Sequence, residues 1–163
     1  MGLFSKFKKS KVESNVIYSP IKGKIVDIES LKDKTFADKV MGDGLAIIPS
    51  EGKVFAPVNG TISALLDTKH AFGITAEGGY ELLIHVGQDT VNLKGEGFST
   101  SLKEGDKIKK GDLLGTFDMN FITKKGYNLA TPVILIGGGD YKIKDKTSPG
   151  EINVGDQLFT VEK

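Results

Sequence analysis

Downstream of residue 18, short runs of Val, Ile and Leu alternate with clusters of Gly, Pro, Asp and Asn, and no stretch sustains the apolar spacing of a long helix. This pattern predicts an all-β domain: antiparallel strands closed into a sandwich or barrel, with short helical turns only. The segment 31–41 is expected to hold one short helix or a structured loop. Two internal echoes sharpen the expectation. Residues 18–25 (YSPIKGKI) match 55–62 (FAPVNGTI) position by position, and 108–117 (IKKGDLLGTF) match 152–161 (INVGDQLFTV), each of the latter reading as strand, Gly-Asp turn, strand. Each unit occurs twice, which points to a pseudo-symmetric repeat inside one closed fold rather than to a solenoid. Pro20 and Pro57 are expected at the starts of edge strands, where a missing amide donor costs nothing.

Composition narrows the function classes. The 163 residues carry 39% apolar side chains, enough for one domain core. Lys and Arg number 22 against 21 Asp and Glu, a net charge of +1, so no overall field recruits nucleic acid. The absence of Cys removes disulfides and thiolate chemistry and favours a reducing compartment. No apolar run reaches the roughly 20 residues of a membrane span and the first residues lack the apolar core of a signal peptide, so a cytoplasmic location is expected. Residues 1–17 read as a flexible arm. Wound as a helix, the arm gathers Leu3, Phe4 and Phe7 on one side among Lys6, Lys8, Lys9 and Lys11, an amphipathic pattern suited to transient membrane-surface contact through residues 2–9.

The chain has two histidines, and each falls in a strand-like stretch. In 79–91 (GYELLIHVGQDTV), alternation sends Leu82, Ile84 and Val86 to one face and Glu81, Leu83, His85 and Gly87 to the other. His70 lies in TKHAFGI, residues 68–74. If the two strands pair, both imidazoles meet on one exposed apolar face of the kind that serves docking. Two chemistries suit such a pair. Neutral imidazoles bind zinc, although a catalytic zinc site needs a third ligand, and the sequence has neither HExxH nor HxH. Alternatively, an unprotonated ring nitrogen attacks phosphorus and holds the phosphoryl group, while the second His and backbone groups stabilise charge and fix the tautomer.

At these residues the sequence resembles the glucose-family IIA component of the bacterial phosphoenolpyruvate-dependent sugar phosphotransferase system. The signature Gly, two residues, three aliphatics, His, aliphatic, Gly, aliphatic, any residue, Thr, aliphatic is followed by 79–91 except at Gln88. Supporting blocks are FADKVMGDG at 36–44, APVNG at 56–60, TKHAF at 68–72 and LKGEGF at 93–98. The resemblance implies a IIA phosphocarrier domain over 18–163 that accepts phosphate from HPr on His85, through Nε2, and passes it to the IIB domain of a glucose-type sugar permease. It implies that His70 supports onward transfer, that Thr68 orients His70, that the Gly87 carbonyl holds the His85 Nδ1 proton, and that Asp89 shapes the adjoining surface. Phe36, Val40, Met41 and Leu83 match the apolar rim on which partners dock. No cofactor is required, though zinc bridging His70 and His85 to a partner's carboxylate is compatible with the pair. Two other readings stay open: a regulatory binding protein that uses the same shelf, and a zinc-dependent hydrolase on a related duplicated β scaffold.

Overall fold

In the computed structural model, which describes residues 12–137 and 139–163, the strands run β1 Val16–Tyr18, β2 Gly23–Asp27, β3 Asp43–Pro49, β4 Lys53–Phe55, β5 Gly60–Ala64, β6 Ala71–Ala76 and β7 Glu81–His85. They continue as β8 Phe98–Ser99, β9 Lys107–Ile108, β10 Leu113–Phe117, β11 Thr131–Gly137, β12 Lys142–Lys146, β13 Gly150–Ile152 and β14 Gln157–Glu162. Two short helices, α1 Lys34–Ala37 and α2 Met119–Lys124, and 3-10 turns at Ile28–Ser30 and Thr90–Leu93 complete the described elements. The proposed lipid-contacting stretch, residues 2–9, lies outside the described residues.

The sequence echoes meet each other in space. Tyr18 donates its N–H to the Pro57 carbonyl at 3.0 Å, and the matching Phe55 donates to the Pro20 carbonyl at 2.8 Å. Ser19 and its counterpart Ala56 donate to Asp156 and Asp112, each at 2.7 Å. In both Gly-Asp turns the aspartate accepts the amide three residues earlier, Lys109 to Asp112 and Asn153 to Asp156. Likewise β2 pairs with β13 and β5 with β9, so the repeat in the sequence is a repeat in the fold. Pro20 and Pro57 occupy the bends before β2 and β5 rather than strand starts; their carbonyls carry the cross-links, and their missing amides are not needed there.

All strand pairs are antiparallel, and the largest sheet has the order β13-β2-β3-β11-β7-β6-β5-β9. Its inner face packs Ile25, Ile47, Ile74, Leu82, Ile84 and Val133 into the main core together with Leu158 and Phe159. Burial of such side chains, each worth roughly 1.5–3 kcal/mol, is the dominant stabilisation. Between β3 and β11 the backbones approach so closely at Gly44 that an added Cβ would collide with the Val133 carbonyl. The expected boundary at residue 18 falls inside β1: Val16 and Ile17 are buried and pair with Thr160 and Phe159, so the domain begins before it.

The outer face of the same sheet is not left bare. Ala46 of β3 and Ile134 of β11 pack with Ile28, Leu31, Phe36, Ala37 and Ala130 in a second buried cluster, against which Leu83 of β7 leans half-buried. The segment from Ile28 through α1 therefore roofs part of the face expected to be open. Asp33 starts α1 by accepting the Thr35 N–H on Oδ1 at 3.0 Å, the usual role of an N-cap aspartate. Beyond α1, Lys39 bridges Glu29 at 3.0 Å and Asp43 at 3.6 Å, and Asp43 also meets Lys146 at 2.8 Å. These pairs are solvated and individually weak, but they join the roof to β3 and β12.

Candidate site at the paired histidines

β6 and β7 pair with Ala71 opposite His85, and the ladder continues one step further, the Val86 N–H donating to the His70 carbonyl at 2.7 Å. His70 precedes β6, so strict alternation would turn its ring away from the His85 side. The preceding turn overrides this: Lys69 takes the left-handed conformation at φ 55 and donates to the Leu66 carbonyl. The two rings end edge to face, centroids 4.7 Å apart and planes at 82°. Phe36 flanks His85 at 4.9 Å and Phe98 flanks His70 at 6.4 Å.

The pair meets as expected, but the setting is more enclosed than an exposed shelf. His70 is only 5% exposed, walled by Phe98 and by its own turn, while His85 is half-buried at the edge of the roof. Among the expected rim residues, Phe36 is buried as a wall of the site and Leu83 is half-covered, because α1 lies over the sheet. Val40, 74% exposed, and Met41, 41% exposed, stand free where the chain leaves α1.

Hydrogen bonding sets the chemistry of each ring. His85 Nδ1 lies 2.7 Å from the Gly87 carbonyl oxygen. A carbonyl only accepts, so Nδ1 carries the proton and Nε2 keeps its lone pair. Gly87 has φ 76, and a Cβ there would strike the Asn128 carbonyl and Thr90; glycine is what lets the carbonyl turn back to the ring. The loop is fixed by Thr90 Oγ1 donating to the Val86 carbonyl at 2.5 Å and by Gln88 N–H donating to Asn128. His70 Nδ1 lies 2.9 Å from Thr68 Oγ1, a hydroxyl that can donate or accept.

Burial pushes the His70 pKa down to about 4, helped by the neighbouring His85, while its contact with Thr68 opposes the shift. Burial also lowers His85, against the pull of the Gly87 carbonyl and the negative charges of Asp33 and Asp89. Both rings are therefore neutral at pH 7. Asp89, in the left-handed conformation at φ 61, shapes the exit from β7. Asp33, Phe98, Thr90 and Gln88 were not singled out as site residues by the sequence. Thr90 sits inside the 79–91 motif, but the loop carrying Asp33 shows no periodicity that would aim it at His85.

A consequence for stability follows. Between pH 6.5 and about 4 the unfolded chain binds a proton at residue 70 that the folded chain refuses, so stability falls with acidification through that window, by about 3 kcal/mol for His70 alone. His85 contributes with the same sign. Urea denaturation at pH 7 and pH 4.5 measures the loss, and His70→Gln is expected to flatten it; an equal loss in that variant would assign the effect to other groups.

For a metal, the pair offers two free Nε2 atoms at most. Among the described residues no group of three or more His, Cys, Asp or Glu is gathered that could hold an ion. Among the described residues, too, no helix is long and apolar enough to cross a membrane.

Comparison with known proteins identifies the family. Residues 15–141 match the family model of the phosphoenolpyruvate-dependent sugar phosphotransferase system, EIIA 1. The chain is 45% identical over 166 aligned positions to the PTS system glucose-specific EIIA component of Halalkalibacterium halodurans, covering 98% of this chain and 96% of that one. In fold it superimposes on glucose permease IIA from Mycoplasma capricolum with a TM-score of 0.84 at 33% identity, over 88% of this chain and 93% of the other. The chain belongs to the EIIA 1 family of the phosphoenolpyruvate-dependent sugar phosphotransferase system, and is a phosphocarrier component of that system.

Proposed function

We propose that His85 is the phosphorylated residue. Its Nε2 lone pair attacks the phosphorus of phosphorylated HPr; the new N–P bond forms as the donor's bond to phosphorus breaks, and the donor takes back its electron pair. The IIB domain of a glucose-type permease then receives the group by the same exchange. One observation carries the assignment: the 2.7 Å contact to the Gly87 carbonyl, which demands a proton on Nδ1 and leaves Nε2 as the nucleophile. A neutral ring suits the task, since a protonated imidazole has no lone pair to offer.

Thr68 is read as donating its hydroxyl proton to His70 Nδ1, so that His70 Nε2 carries a hydrogen and can donate to phosphoryl oxygens held on His85. Val40 and Met41, with the partly open Leu83, supply the apolar contact for HPr and IIB, a small surface suited to brief exchange. The transfer needs no cofactor. Zinc would require both Nε2 atoms and a carboxylate brought by a partner. Such a carrier works in the cytoplasm, where both exchange partners meet it.

Incubation with phosphoenolpyruvate, its phosphotransferase enzyme and HPr tests the reading. One acid-labile phosphate per chain is expected, with the phosphorus-31 NMR signature of an Nε2 phosphohistidine and a peptide map placing it on residue 85. Absence of label, or label on a hydroxyl residue, overturns the assignment.

A further inference from the structure

Gln88 departs from the 79–91 signature, which has an aliphatic at that place, and the structure gives it an unusual environment. It is 4% exposed, yet its side-chain Nε2 is buried with no hydrogen-bond partner among the described residues. A buried amide hydrogen left unpaired is a penalty that Leu or Met in the same space would not carry. The other half of the amide explains what offsets it. Gln88 Oε1 accepts the Asp33 backbone N–H at 2.9 Å, a bond between residues 55 apart in sequence. An N–H needs an acceptor opposite, so the amide cannot be turned round to satisfy Nε2 without orphaning Asp33.

The two ends of that bond matter. One is the loop that holds Gly87, whose carbonyl fixes the His85 tautomer. The other is the N-cap of α1, where Asp33 Oδ1 receives the Thr35 N–H, and one residue further on Phe36 presses its ring against His85 at 4.9 Å. A four-residue helix does not hold its own place. The remaining buried roof contacts, Ile28, Leu31, Phe36 and Ala37, are apolar and fix depth better than register, and the Lys39 pairs with Glu29 and Asp43 beyond the helix are solvated and weak. The Gln88 bond is directional.

We infer that Gln88 is a positioning residue: by accepting the Asp33 amide it sets where α1, and with it the Phe36 ring and the Asp33 carboxylate, stands against the His85 imidazole. The role rests on His85 being the phosphoryl acceptor. It also accounts for an amide where the signature has an aliphatic: the unpaired Nε2 accompanies the acceptor oxygen that the Asp33 N–H requires.

Three forms of the full chain decide it: wild type, Gln88→Met, which keeps length and burial but removes both polar atoms, and Gln88→Glu, which keeps an acceptor oxygen. In Gln88→Met, hydrogen exchange at the Asp33 and Thr35 amides is expected to quicken about tenfold while amides of β7 and β11 keep their protection. The kcat for phosphoryl uptake from HPr should fall about three- to tenfold with KM little changed, and the melting temperature should change little, because the unpaired Nε2 goes while the Asp33 N–H loses its acceptor. Gln88→Glu should restore both the exchange protection and most of kcat. Unchanged exchange at Asp33, or kcat that falls only together with melting temperature and protection across the sheet, overturns the positioning role. No uptake by the wild type would instead sink the His85 assignment, a different result from uptake that is indifferent to Gln88.

Discussion

His85→Ala takes up phosphate from phosphorylated HPr at least about 10⁴-fold more slowly than the wild type, because the substitution deletes the nucleophile itself rather than a group that assists it. The fold should survive. His85 ends β7 on the outer face, its side chain only half-buried, and the inward neighbours Leu82 and Ile84 that anchor the strand are untouched. Loss of the ring removes its contacts with Phe36 and His70 and its bond to the Gly87 carbonyl but nothing from the main core, so denaturation at pH 7 should move by about 1–2 kcal/mol. The variant also has an internal control, since the chain contains two histidines. Acid-labile phosphate persisting in His85→Ala is assigned by a peptide map, His70 being the one imidazole left. Label on His70 would reverse the roles of the two rings; uptake at the wild-type rate on a third residue would remove both.

Where sequence reading worked, it worked through local period. The alternation in 79–91 separates Leu82, Ile84 and Val86 from Leu83 and His85, and their burial follows it. The echoes at 18–25 and 55–62 carry their symmetry into matched hydrogen bonds, because a bend with an aromatic before it and a proline within it closes in the same way twice. What could not be read was long-range or conformational. His70 reaches His85 because Lys69 adopts a left-handed conformation, a property of the whole turn and not of the strand pattern after it. Likewise α1 comes to lie over Ala46, Ile134 and Leu83 only when three strands distant in sequence have assembled a surface for it. Asp33 and Phe36 join the site by that route. Gln88 was visible as a departure from the signature, but its partner, 55 residues away, was not.

His70→Ala should divide the two half-reactions. Uptake onto His85 depends mainly on the lone pair that the Gly87 carbonyl leaves on Nε2, and that contact is independent of His70. Discharge to a IIB domain requires the phosphoryl group to leave His85 while charge spreads over its oxygens, and the ring in edge contact with His85 is the one placed to follow it with a hydrogen bond. Loss of one such donor typically costs about 10²–10³ in rate. A chain first charged on His85 should therefore hold its phosphate, discharging about 10²-fold or more slowly, while uptake changes by less than about tenfold. Single-turnover transfer in each direction measures the split. Equal slowing of both steps would make His70 a general support of the site, and no slowing would remove it from the reaction. Thr68→Val should show the same asymmetry in weaker form, since it removes the hydroxyl that selects the His70 tautomer but leaves the ring. Burial has a further purpose in this scheme. A cationic imidazole beside a phosphoryl dianion would bind it too firmly to let it go. Burial holds the His70 pKa down and so opposes the proton that an adjacent phosphoryl dianion attracts, which favours a neutral donor that steadies the group in transit and still releases it.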